Sequence, residues 1–183
     1  MKSSFNLLVS RNIDDGVGEI ELLEKQFNFK LPPLYKLFAQ SFYLGEKYIK
    51  REVFLSPTYH EYFPCTTYNF YHNGEDIGFS HFIEIQKAFS VYASGGLSDF
   101  LSDNMFFPIA SSDGNGLYLG TQTSSIDKIF WDRADAMEPR MIANNIFEFV
   151  RGIQIKPAST LYGDVLFSQL YKIWDEDFWR VKR

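Results

Sequence analysis

Cysteine is almost missing from this sequence: Cys65 stands alone among 183 residues. A single thiol closes no internal disulfide, which argues against a stapled secreted scaffold, and it rules out the cysteine spacing of a zinc ribbon. Long apolar runs are missing too. None approaches the roughly 20 residues that a membrane helix needs. From Met1 to Arg11 there is no basic segment followed by an apolar stretch and a small-residue cleavage site. The expectation is a soluble, cytoplasmic chain with no membrane partner. Histidine is scarce, and His60, His72 and His81 stand too far apart for a helical ligand pair.

Phosphate and metal signatures are equally thin. No glycine-rich loop ends in Gly-Lys-Ser/Thr, and Gly95-Gly96 lacks the third glycine of a dinucleotide fingerprint. The turn from Ser112 to Gly116 lacks the repeated carboxylates and the closing Glu of a calcium loop. Asp127, Asp132 and Asp135 read as solvated carboxylates around a strand end and the loop after it, not as a metal cluster. No metal and no cofactor is expected. A Cys65–histidine dyad is the catalytic alternative, because nucleophile and base meet only in space. Beside Phe63 and Pro64, however, Cys65 reads as a small buried hydrophobe. The chain is expected not to be an enzyme.

Basic residues are nearly absent from the middle of the chain. Between Glu52 and Asp127 lie nine acidic residues, with Lys87 as the one base, a local net charge of −8 within a whole-chain −5. Such a field repels phosphate backbones and attracts cationic partners, so charge disfavours nucleic acid as a ligand. A solvated acidic surface with no partner is the plainer reading of the same pattern.

Aromatic residues, by contrast, are abundant at 18%, with 19 Phe and 11 Tyr. Phe suits a core. Tyr suits a core or a partner surface, where its body is apolar and its hydroxyl stays wet. Tyr59, Tyr62, Tyr68 and Tyr71 lie among Glu61, Glu75 and Asp76 with no lysine or arginine nearby in sequence. Rings that anchor and carboxylates that steer make a surface for a basic protein. With Asp132 and Asp135 these seven form the candidate partner-binding set. The competing reading turns about half the rings inward over a sheet.

Periodicity sets the architecture. Ile20, Leu23 and Phe27 mark one helix face, and Pro32-Pro33 ends that helix and opens a second. There Leu34, Leu37, Phe38 and Phe42 recur at helical spacing, with Gly45 as terminator. Tyr48-Ile49 and Val53 to Leu55 read as strand. Residues 58–80 read as an irregular loop or hairpin with a turn at Asn73-Gly74. His81 to Ile85 suggests a short strand before a helix that stops ahead of Gly95. Met105 to Ala110, a turn at Asp113 to Gly116, Leu117 to Gly120 and Ile126 to Trp131 read as a meander. Met141 to Ile153 reads as a helix facing the core through Ala143, Ile146, Phe147 and Val150. Asp164 can cap a last helix carrying Leu166, Leu170, Ile173 and Trp174. Helices segregated from a run of strands predict an α+β fold. The sheet is antiparallel, of about five to six strands, with an N-terminal helical pair and C-terminal helices packed around it.

The order of these elements resembles the SUKH superfamily, which includes a yeast cell-wall-assembly regulator and many bacterial immunity proteins. Ile20 to Phe27 followed by Leu31-Pro32-Pro33 to Phe38 is similar to that family's opening helix, its Leu-Pro and its second helix. Phe107 to Gly116 resembles its Pro-Ile-Ala strand and Gly-Asn turn. Trp131-Asp132 and Ile142 to Phe149 resemble its closing strand and helix. Two departures stand out. Tyr43-Leu44-Gly45 replaces the usual Asn-Gly-Gly, and the stretch past Pro157 lies beyond the usual core. The expected organisation is a domain over residues 1–156 with a helical extension over 157–183 packed on it. The resemblance implies a non-catalytic protein-binding scaffold. It would be an immunity protein gripping a basic toxin domain, such as a nuclease, or else an intracellular adaptor with a housekeeping partner.

Overall fold

A computed structural model describes residues 7–49, 53–56, 61–64, 68–79, 81–94, 105–112, 115–132 and 139–155. Helix α1, Ile13–Phe27, begins earlier than the Ile20–Leu23–Phe27 spacing alone suggests. Its cap is Asn12, whose side chain accepts the Asp14 N–H at 3.1 Å, and Asp14 and Asp15 place negative charge in the first turn. Asn28 ends the helix in the left-handed conformation. Gly16 is where α1 meets its neighbour: a Cβ there would sit 2.2 Å from the Gln40 carbonyl oxygen. A glycine inside a helix costs about 1 kcal/mol against alanine, and here it lets two backbones touch.

Helix α2, Pro33–Ser41, starts with proline in its first turn, and its own cap residue, Pro32, offers no side-chain acceptor. The acceptor comes from far away in sequence. Asp127 Oδ1 takes the N–H groups of Leu34 and Tyr35 at 3.0 and 3.1 Å. Asp127 is 9% exposed, the one polar residue in the buried set among the described residues, so it is not the solvated carboxylate expected above. Glu24 supplies a second clamp, accepting the Leu31 N–H at 2.9 Å and pairing with Lys36 at 2.8 Å. The buried face of α2 is Tyr35, Phe38 and Ala39, while Leu34 and Leu37 are 39% and 50% exposed. Phe42 is not helical: with Tyr43 it forms strand β2, paired with β1 (Val9–Ser10). Gly45 follows that strand at φ 128° and does not terminate the helix.

Strands β3 (Val53–Ser56) and β4 (Glu61–Pro64) form an antiparallel pair. β4 already lies within the stretch 58–80 expected as an irregular loop or hairpin. Strands β5 (Tyr68–His72) and β6 (Glu75–Phe79) close a hairpin on Asn73 and Gly74, both at positive φ, as a two-residue turn demands. The principal sheet is five-stranded and antiparallel, in the order β11-β10-β9-β8-β7. Its strands are β7 (His81–Phe82), β8 (Phe106–Ser112), β9 (Asn115–Gly120), β10 (Ile129–Asp132) and β11 (Arg140–Ala143). Helix α3, Ile85–Ala93, follows β7. Residues 141–143, expected as the start of a helix, are therefore strand. The helix there, α4 (Ile146–Gly152), is capped by Asn145, which accepts the Glu148 N–H at 2.9 Å. It buries Ile146, Phe149 and Val150. Strand β12 (Ile153–Ile155) returns to pair with β5.

Among the described residues the fold is thus α+β, with four helices, the five-stranded sheet and smaller sheets. The core lies between the helices and the sheet face formed by Phe107, Ile109, Leu117, Leu119, Ile129 and Trp131, all buried. Phenylalanine fills it. Phe107 lies stacked on Phe29 at 5.5 Å, edge-on to Phe89 at 5.4 Å, and 6.1 Å from the fully buried Tyr35. Phe38 meets Phe82 at 5.4 Å and Phe147 of α4 at 5.9 Å, and Phe149 meets Phe70 of β5 at 5.0 Å. The segment expected as a final helix, Asp164 to Trp174, lies outside the described residues, as does the rest of 157–183.

Candidate protein-binding surface

Three candidate residues lie at the turn end of the β5–β6 hairpin, and a fourth, Tyr68, at its far end. Tyr71 and Asp76 are direct cross-strand partners, and Glu75 stands opposite His72 beside the turn. Tyr71 is 57% exposed, a large ring held in water on a paired strand. Glu75 is exposed as well. It is not free of basic neighbours, as its sequence surroundings suggested: Arg140 of β11 approaches it at 3.9 Å across exposed side chains. The pair is long and solvated, so its contribution to stability is near zero. Its geometric meaning is larger. It brings the hairpin turn to the strand end where Trp131, the register partner of Arg140, precedes Asp132. His72 contacts the Asn73 side chain at 3.0 Å.

The remaining candidates are dispersed. Tyr68 lies in β5 between Phe79 and Ile155 of the flanking strands. Glu61 and Tyr62 lie on β4, opposite Ser56 and Leu55, in a separate two-stranded sheet. Tyr59 and Asp135 fall outside the described residues, as do Cys65 and His60. Of the acids counted into the negative stretch, Glu75 and Glu84 face solvent and Asp127 is structural. No group of three metal-ligating side chains occurs among the described residues. No described helix is long and apolar enough to cross a membrane.

Asp132 has a neighbour that was not among the candidates. Tyr118 of β9 shares its sheet face, since Asp132 pairs with Gly116 and Phe130 pairs with Tyr118. Burial pushes the Tyr118 hydroxyl above its ordinary pKa, and the Asp132 carboxylate pushes it further. Burial likewise raises Asp132 above the usual carboxylate range. The signal was available in the alternation Gly116-Leu117-Tyr118-Leu119, which sends 117 and 119 inward and 118 out. The surface is one of rings and carboxylates.

Neither the curated proteins nor the solved structures gave a match to this chain. A family model did. The model for the SMI1 / KNR4 family (SUKH-1) matches residues 17–152, a span that runs from α1 through the sheet to the last residue of α4. Proteins of this kind are, in general, non-enzymatic immunity or regulator domains that bind other proteins. With α1 from Val17 onward, α2, the antiparallel meander and the closing helix inside the matched span, the chain belongs to the SMI1 / KNR4 family (SUKH-1) of the SUKH superfamily.

Proposed function

We propose that this protein is an immunity protein that neutralises a toxin by binding it directly, through a surface centred on the β5–β6 hairpin. Family membership over residues 17–152 carries the reading. The hairpin supports it: Tyr71 is a solvent-facing ring whose cross-strand partner position is Asp76, a combination suited to a basic partner. The acid excess from Glu52 to Asp127 adds long-range steering, which speeds encounter at low salt. A nuclease toxin is the first class to test, because such enzymes hold phosphate backbones with cationic surfaces. A complex of ordinary size needs about 800 Å² from each partner, within reach of the hairpin and the neighbouring strand end. Tyr59, Glu61, Tyr62, Tyr68, Asp132 and Asp135 complete the proposed contact set.

The test is co-expression with the product of the adjacent gene. The expected result is co-purification and protection of cells, with protection lost on Tyr71→Ala combined with Glu75→Lys. A neighbouring product that neither binds nor harms cells, together with no protection against any toxin, would end the immunity reading. Capture of a housekeeping protein in the same experiment would favour the adaptor role.

A further inference from the structure

Asp132 has a donor missing. Its Oδ1 is buried without a hydrogen-bond partner, although Asp132 as a whole is only partly buried and remains open to a donor from outside. Such a carboxylate oxygen has lost water and gained nothing in return, a cost that a bound donor would relieve. Arg11 pairs with Glu19, Lys36 with Glu24 and Arg140 with Glu75, and none of these pairs reaches Asp132.

Its surroundings narrow the kind of donor. Asp132 lies on the outward face of the five-stranded sheet, in a strip with Tyr118, Phe130 and Met141, the last being the register partner of Phe130. Tyr118 and Phe130 are half-buried, and Met141 is 44% exposed. Phe106 backs the strip at 4.8 Å from Phe130 and 6.3 Å from Tyr118. Gly116 makes room for the tyrosine. A Cβ at that position would sit 2.2 Å from the Tyr118 hydroxyl, so the ring lies along β9 toward the carboxylate because nothing projects there.

We propose that this strip receives an arginine side chain of the partner protein, its guanidinium donating to Asp132 and lying against the rings of Tyr118 and Phe130. The proposal rests on the protein-binding reading above and names the chemistry of one contact. Arginine fits better than lysine because its flat, weakly hydrated cation stacks on rings while its donors meet a carboxylate. A metal ion fits poorly, since hard cations take six or more oxygens and the strip offers one carboxylate and one phenol. A phosphate backbone is repelled.

The experiment titrates N-acetyl-arginine amide into the full-length protein and follows the Asp132 carboxyl, the Tyr118 ring and the Met141 methyl by NMR. Saturable shifts at these three groups, with little change at the exposed Glu75 and Glu84, are expected. N-acetyl-lysine amide should bind about threefold more weakly, the ratio that modest ring stacking gives. Asp132→Asn should abolish the shifts, and Tyr118→Leu should erase the preference for arginine while keeping weak binding. Equal shifts at all exposed carboxylates, equal affinity for lysine, or binding that survives Asp132→Asn would each overturn the inference. None of these results touches the toxin reading, which fails on the partner experiment alone.

Discussion

Along β9, Leu117 and Leu119 are fully buried while Tyr118 between them is half open; along β10, Ile129 and Trp131 are buried while Phe130 and Asp132 are not. The same strands thus build two surfaces with different chemistry. The inward face is apolar and closed by Phe29, Tyr35, Phe89 and Tyr92 from the helical layer, which converge on Phe107. The outward face carries a phenol, a carboxylate and an exposed methionine. Packing accounts for the apolar side chains of the first surface. It does not explain Asp132 on the second, and a group that the fold does not need is where a binding role belongs.

The largest effect should come from emptying the inward face. Phe107→Ala removes a fully buried ring from four aromatic contacts, and should cost about 3–5 kcal/mol in urea unfolding. Next is the clamp that holds α2 over that face. Asp127→Ala strips the acceptor from one buried and one part-buried N–H group and should cost about 2–3 kcal/mol. Asp127→Asn should recover most of that loss, because asparagine keeps an acceptor and tolerates the φ of 64°. If the alanine variant unfolds like the parent, the remote cap contributes nothing and the contrast between the faces loses one of its causes. On the outward face the scale drops: Met141→Ala should change stability by no more than about 1 kcal/mol.

These magnitudes also separate what could be read from the sequence from what could not. The helical pair, the Asn73-Gly74 hairpin turn and the meander were legible, because each depends on neighbours within a few residues. The cap of α2 was not: its acceptor lies more than ninety residues away, and Asp127 in sequence looks like any loop carboxylate. The buried face of α2 was misassigned for a related reason. Leu34-Leu37-Phe38 and Tyr35-Phe38-Ala39 both fit helical spacing, and only the position of Phe107 across the core selects the second. Reading 141–153 as one helix missed a local signal that was present. Asn145 and Glu148 stand three apart as cap and third residue, and Glu148 accepts the Asn144 N–H at 3.0 Å in return, so the helix starts at 146. For the candidate set, composition pointed to Tyr71, Glu75 and Asp132 as candidates, whereas the approach of Arg140 to Glu75 and the shared sheet face of Tyr118 and Asp132 depend on strand order.

The smallest effect has the opposite sign, and it is the sharpest test of the comparison. Burial raises the folded-state pKa of Asp132 above its usual value, so the folded protein holds that proton more tightly than the unfolded chain does. For a carboxyl shifted in this direction, folding is favoured most when the group is protonated. The advantage fades as pH rises from the unfolded pKa through the raised folded one, and at neutral pH the ionised group is a net cost. Asp132→Asn removes that cost while keeping size and shape. The variant should therefore melt slightly above the parent at neutral pH, with the gap closing as the solution is acidified through the carboxylate range. Thermal melts of the two proteins over that pH series measure it, and other carboxylates cancel in the difference. A variant that melts lower at neutral pH would mean that the carboxylate already has a stabilising partner within the chain, leaving no unmet demand for an incoming guanidinium. A variant that gains stability yet loses arginine binding would mark Asp132 as a residue kept for contact at the expense of the fold.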